Sequence, residues 1–176
     1  ALNSLEGYKD PEIANKSLLV KTRLLSEMDR IDEAVENYIE LYWIDEEDRD
    51  KILKGIENLH DKIELNEDTF KELFRIYKNE LRNSKIVELI DTYFDGTEET
   101  GQDILELIEE EYTDKIPLPI RVSRARINYL IENKEEALND MFDLLSRFPD
   151  VASELIEIVD PYDNEILPLL IELNLK

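Results

Sequence analysis

Apolar residues return every three to four positions along this chain, the period of an amphipathic helix. In 31-IDEAVENYIELYW-43, Ile31, Ala34, Val35, Tyr38, Leu41 and Tyr42 share one face, while Asp32, Glu33, Glu36 and Glu40 take the other. The segment 70-FKELFRIYKNEL-81 gathers Phe70, Leu73, Phe74, Tyr77 and Leu81, and 86-IVELIDTYF-94 gathers Ile86, Leu89, Ile90, Tyr93 and Phe94. Further helices are predicted at 103–113, 117–132, 134–148, 150–159 and 163–174. Asp10-Pro11 sets a capping side chain before a first-turn proline. Asn66 to Thr69 and Asn83-Ser84 offer further caps, and Asp150 and Asp163 stand before the last two helices. Pro117 and Pro119 stop one helix and open the next, and Pro149 and Pro161 follow C-termini. Connections this short fold consecutive helices into antiparallel hairpins. No segment alternates with the period of two that a strand requires.

About ten helices of about twelve residues leave two architectures, a closed bundle or a stack of helix pairs. The helix at 117–132 separates them. Ile120, Ile127, Leu130 and Ile131 form one apolar stripe, and Val122, Ala125 and Tyr129 a second, nearly opposite. Arg121, Arg124 and Asn128 form a polar wedge between the stripes. Two stripes require neighbours on both sides. The middle helix of a bundle would have nowhere to put two arginines, whereas an inner helix of a solenoid can turn the wedge to a concave surface. The expected fold is therefore an all-α, right-handed α-solenoid of antiparallel helix pairs, with 1–176 as one helical-repeat domain.

Composition narrows the function. The chain has 176 residues, 42% of them hydrophobic, with four glycines and six prolines, so it can bury a core and contains few turns. It has no cysteine, which removes disulfides, zinc-thiolate sites and thiol nucleophiles and fits a reducing, cytoplasmic setting. The first residue is Ala1 rather than Met, as in a processed form or an excised piece, so export stays open. No apolar run is long enough for a membrane span. The formal net charge of -23 repels nucleic acid and anionic membrane. Neither is an expected partner.

Two segments resemble the second half of a tetratricopeptide repeat. In 29-DRIDEAVENYIELYWID-45, Ala34 holds the small position, followed by Tyr38 and Leu41. In 132-ENKEEALNDMFDLLSRFP-149, Ala137 holds it, followed by Met141 and Leu144, and Pro149 closes the motif. The first-helix tryptophan, leucine-glycine and tyrosine positions are poorly matched. The two segments lie 103 residues apart, close to three periods of about 34 residues, but 66–94 falls out of register and reads as a degenerate helix pair of the same type. The resemblance implies a scaffold that offers a groove to a peptide or protein, without catalysis.

Candidate chemistry is sparse. The single histidine, His60, cannot build a multi-histidine metal site, and no nucleophile-base pattern surrounds it. Glycine-rich phosphate loops are absent. The loop 91-DTYFDGTEETGQD-103 matches an EF-hand at Asp91, Asp95 and Gly96, but Tyr93 and Gln102 stand where charged ligands belong. A solvated loop is expected there, and no metal or cofactor is assigned. The acidic clusters 45-DEEDRD-50 and 109-EEEYTD-114 suit helix-end charge or a basic partner. Trp43 points away from the main stripe of its helix, either packing on the next pair or acting as an exposed anchor.

The arginines stand out against this background. From Ile86 to Asp114 there are eleven acids and no Lys or Arg; from Ile116 to Ile131 there are three arginines and no acid. One reading pairs Arg121, Arg124 and Arg126 with acids on 103–113 and its neighbours; Arg126 is assigned to that role, while for Arg121 and Arg124 ligand contact is the other reading. In tetratricopeptide domains, basic and asparagine side chains of first helices hold a partner's carboxylates. Arg121, Arg124 and Asn128 resemble that arrangement, and a guanidinium fork binds carboxylates in a bidentate manner. The expected function is a non-catalytic interaction module whose groove binds a protein or peptide through Arg121, Arg124, Asn128 and Trp43. The alternative is an acidic protein that masks a basic, nucleic-acid-binding surface on another protein.

Overall fold

The computed structural model describes residues 11–113, 115–160, 163 and 166–174, and every regular element among them is helical. The helices are α1 (Pro11–Glu27), α2 (Ile31–Ile44), α3 (Arg49–Leu59), α4 (Glu67–Asn79), α5 (Asn83–Tyr93), α6 (Glu98–Glu111), α7 (Leu118–Leu130), α8 (Lys134–Arg147), α9 (Ala152–Ile158) and α10 (Ile166–Asn174). Short 3-10 turns at His60–Lys62 and Pro149–Val151 follow α3 and precede α9. The expected caps at Asp10 and the stop at Pro161 lie outside the described residues, as does Asp114. Among the described residues no helix is long and apolar enough to cross a membrane.

The chain forms two compact units, residues 1–76 and 77–176, with the boundary inside α4. In the first, α1, α2 and α3 pack together. The α2 stripe read from the sequence is buried: Ala34, Val35, Tyr38, Leu41 and Tyr42 are each no more than 4% exposed. Gly55 lets α3 approach α2, because a Cβ there would fall 2.4 Å from the Tyr38 ring. In the second unit, α7 touches α5, α6, α8 and α9, and α10 touches α8 and α9. Both α7 stripes are used. Ile127 and Ile131 meet α6 at Gly101, where a Cβ would lie 2.6 Å from an Ile131 methyl. Val122 and Ala125 enter a core with Met141, Leu144, Leu155 and Ile166 of the following helices. Leu130, read as part of the first stripe, is instead half-exposed at 48%.

One turn recurs three times. After α1, α4 and α7 the chain reverses through Asp29, Leu81 and Glu132, each with φ between 55° and 64°. In each case the next amide reaches back five residues: Arg30 to the Leu25 carbonyl, Arg82 to Tyr77 and Asn133 to Asn128, at 2.8–3.0 Å. This is a Schellman close made without the usual glycine. The helix that follows then buries Ala34, Ile86 or Ala137 completely, at the same distance from the turn. The turns are 52 and 51 residues apart, counted from Asp29, Leu81 and Glu132. The two segments that resemble tetratricopeptide half-repeats follow the first and third of these turns, and α5 follows the second. These turns carry no glycine, and the residue buried after the middle one is Ile86 rather than alanine, so the spacing is not marked in the sequence.

Element starts also moved. The helix predicted at 103–113 begins at Glu98, because Thr97 caps it by accepting the Thr100 amide. Asn83 lies inside α5 rather than capping it. Asn66 and Asp163 do cap as expected, accepting the amides of Thr69 at 2.9 Å and Ile166 at 2.8 Å.

Leu81 combines a left-handed backbone with 83% exposure, so its side chain offers little packing in return for the strain. Leu81→Gly should raise stability by about 0.5–1 kcal/mol, the backbone relief less the extra freedom of glycine in the unfolded chain. The midpoint of urea unfolding reads this out, and an unchanged or lower midpoint would count against a strained turn.

Candidate functional site

Helix α7 carries the basic island, and its two stripes leave polar side chains on two different edges. Arg121, Arg124 and Asn128 lie on the edge toward α8. Arg124 grips Asp140 with both arms of its fork, Nε donating at 2.8 Å to Oδ2 and Nη2 to Oδ1. Asn128 donates to the same Asp140 at 3.4 Å and accepts from the Asn133 side chain at 3.0 Å. Arg121 donates to Asp143, one turn further along α8. The partners are thus on α8, not on the acidic helix before α7. Aspartates at 140 and 143 meet arginines at 124 and 121 because α7 and α8 run antiparallel.

This pairing divides the face that the sequence reading treated as one. Arg124 and Asn128 line a hollow of about 330 Å³ between α6, α7 and α8, whose other charged residues are Glu106, Glu109, Glu136 and Asp140. A partner carboxylate entering there would meet four acids and one already engaged guanidinium. Arg121 lines a different hollow, with Lys115 and Arg147. Trp43 belongs to the first unit. It is 42% exposed, donates through Nε1 to Glu72 of α4 at 3.1 Å, and stands edge-on to Tyr42.

The opposite edge of α7 holds Ser123, Arg126 and Leu130. With Val87 and Asp91 of α5 and Glu154, Glu157 and Ile158 of α9, they line a groove of about 470 Å³. Arg126 pairs with Asp91, as its assignment to a neighbouring acid anticipated, although on α5. Its Nε is buried without a hydrogen-bond partner. The groove thus has an apolar floor of Val87, Val122, Leu130 and Ile158, one cation and three carboxylates. The sequence signal was present in the 126/130 spacing, but the acids of α5 and α9 are brought in only by the packing of those helices on α7.

The EF-hand-like loop uses its carboxylate locally. Asp95 accepts from the Thr97 amide at 2.9 Å and from the hydroxyls of Thr97 and Thr100 at 2.7 Å, while Gly96 adopts φ 88°. Among the described residues no group of three or more His, Asp or Glu is placed to hold a metal ion. In 45–50, Asp45 and Asp48 are buried in the turn between α2 and α3, where the Asp48 amide donates to Asp45, so only part of that cluster is surface charge. No family model matches the chain, and neither a curated protein nor a solved structure matches it.

Two outcomes are expected. Arg124→Ala should destabilise the chain by about 1–3 kcal/mol, because Asp140 is then left largely buried without its cation. Arg124→Ala/Asp140→Ala should recover part of that loss, and denaturant titration of the cycle measures it. The hydroxyls of Thr100 and Thr97, with the Thr97 amide, lower the Asp95 pKa from 3.8 to about 2. The stabilisation this carries is complete above about pH 4, the unfolded value, and is lost as pH falls through about 2. Between those limits, wild type should lose stability more steeply than Asp95→Asn, and equal slopes would count against these hydrogen bonds to Asp95.

Proposed function

We propose that this chain is a non-catalytic protein-interaction module of tetratricopeptide-like, repeating helices, and that the α5–α7–α9 groove receives a segment of its partner. The observation that carries this reading is the make-up of the groove. It offers solvent-facing apolar surface at Leu130 beside Asp91, Glu154 and Glu157. Such a lining suits a basic amphipathic segment, whose apolar side chains fill the floor while its Lys or Arg residues meet the rim. The chain's net charge of -23 favours the same kind of partner through long-range attraction. In this reading Arg121 and Arg124 serve to fasten α7 to α8, and partner contact passes to Arg126 and Leu130. Trp43 remains a candidate for a separate contact in the first unit. The recurring turn supports a helical-repeat reading, although its spacing of 52 and 51 residues departs from the tetratricopeptide period of about 34.

The second reading, an acidic protein that covers a basic surface, rests on charge alone and separates from the first by its tolerance of salt. A photo-reactive residue placed at Leu130 of the full chain should cross-link one partner through a basic, apolar-containing peptide. A control at the exposed Glu135 should not. The cross-link should persist in part at about 1 M salt, where the screening length falls to about 3 Å. If both positions capture the same set of basic proteins, and salt abolishes both, the groove is not the recognition element and charge masking takes its place.

A further inference from the structure

Independently of that groove, the second unit contains a hollow of about 580 Å³ where α7 begins and α8 ends. Lys115, Arg121, Arg147 and Asp143 form its polar wall, and Leu118 and Phe148 lie on its apolar wall. Asp143 is shared: Oδ2 accepts from Arg121, and Oδ1 accepts from Arg147 Nε at 2.8 Å. Lys115 has no ion-pair partner among the described residues. Elsewhere in this unit the paired cations have a carboxylate each, as in Lys78 with Glu111, Lys85 with Glu88, Arg124 with Asp140 and Arg126 with Asp91. Here, among the described residues, three cations face one carboxylate, in a chain where acids outnumber cations by 44 to 21.

Simple neutralisation does not explain this excess, since the chain has acids to spare. Each guanidinium also has more donors than one shared aspartate fills. Asp143 instead ties both guanidinium groups together on the lining of the hollow. The volume falls within the range of small-molecule sites, about 300–1,000 Å³. The apolar wall excludes a purely hydrophilic anion as the best fit, because Leu118 and the 37%-exposed Phe148 would then gain nothing. We propose that this hollow is a binding site for a small organic acid, a carboxylate carried on an apolar arm. The carboxylate would bridge Lys115 and the free edges of Arg121 and Arg147, and the arm would lie against Leu118 and Phe148.

The probe is 3-phenylpropionate, titrated into the full chain and followed by amide and arginine side-chain NMR. The expected result is saturable binding, with shifts confined to 115–121 and 143–148. 3-Phenylpropionamide, which lacks the charge, should not bind, and inorganic phosphate, which lacks the arm, should bind at least about tenfold more weakly. Arg147→Gln and Lys115→Gln should each weaken binding about three- to tenfold. Both side chains are largely exposed, so these variants are expected to fold, and circular dichroism checks this. Phe148→Ala should weaken the organic acid and leave phosphate unchanged. The proposal fails if binding does not saturate, if the amide binds as well as the acid, if phosphate matches it, or if the charge variants bind like wild type.

Discussion

Helix α7 is held on two sides at once, and the arrangement of the second unit depends on that constraint. On one side Ile127 and Ile131 close on α6 at Gly101, a contact that admits no Cβ without displacement of an isoleucine methyl. On the other, Val122 and Ala125 enter the core made with α8, α9 and α10. Burial of side chains on both stripes fixes the helix in rotation as well as position, since any turn about its axis would expose apolar surface on two faces. Once rotation is fixed, the polar residues have no choice of edge. Arg121, Arg124 and Asn128 must face α8, and Ser123, Arg126 and Leu130 must line the α5–α9 side. The hollows described above are consequences of where two apolar stripes leave gaps.

Much of this was legible beforehand. The stripes of α2 and α7 follow from residue spacing, and so does the existence of nearly every helix. The reason is physical: a helical face must be buried, and burial imposes a period of 3.6 that side-chain identity displays directly. What was not legible is information carried by pairs distant in sequence. Nothing local indicates that Arg124 will meet Asp140 instead of an acid on 103–113, because forty-four carboxylates are nearly equivalent until the fold selects among them. Nor is a glycine at 55 or 101 distinguishable from a weak spot in a helix until the opposing ring or methyl is in place. The recurring turn was hidden for a different reason. It relies on Asp29, Leu81 and Glu132 in a conformation that L-residues seldom adopt, and the usual marker for it, glycine, is missing.

The division of the arginine cluster has a bearing on how an acidic protein manages its few cations. With 21 Lys and Arg among 44 acids, most cations can be expected to be consumed locally. The three arginines of α7 illustrate the point, since each has an aspartate within reach, on α8 or α5. A cation so engaged contributes to holding helices together and to placing its carboxylate partner, but it is a poor receptor for a second carboxylate, which must displace the first and approach through a field of the same sign. Functional basic sites on such a surface should therefore occur where pairing is incomplete rather than where arginines are dense. By that criterion Arg124 and Asn128, whose hollow holds four acids, offer little to a further carboxylate. The start of α7, where two arginines share one aspartate, is the place where pairing is incomplete. On the same reasoning the α5–α7–α9 groove holds acids in excess of its single arginine. One helix therefore borders hollows of opposite charge balance, separated only by its own buried stripes.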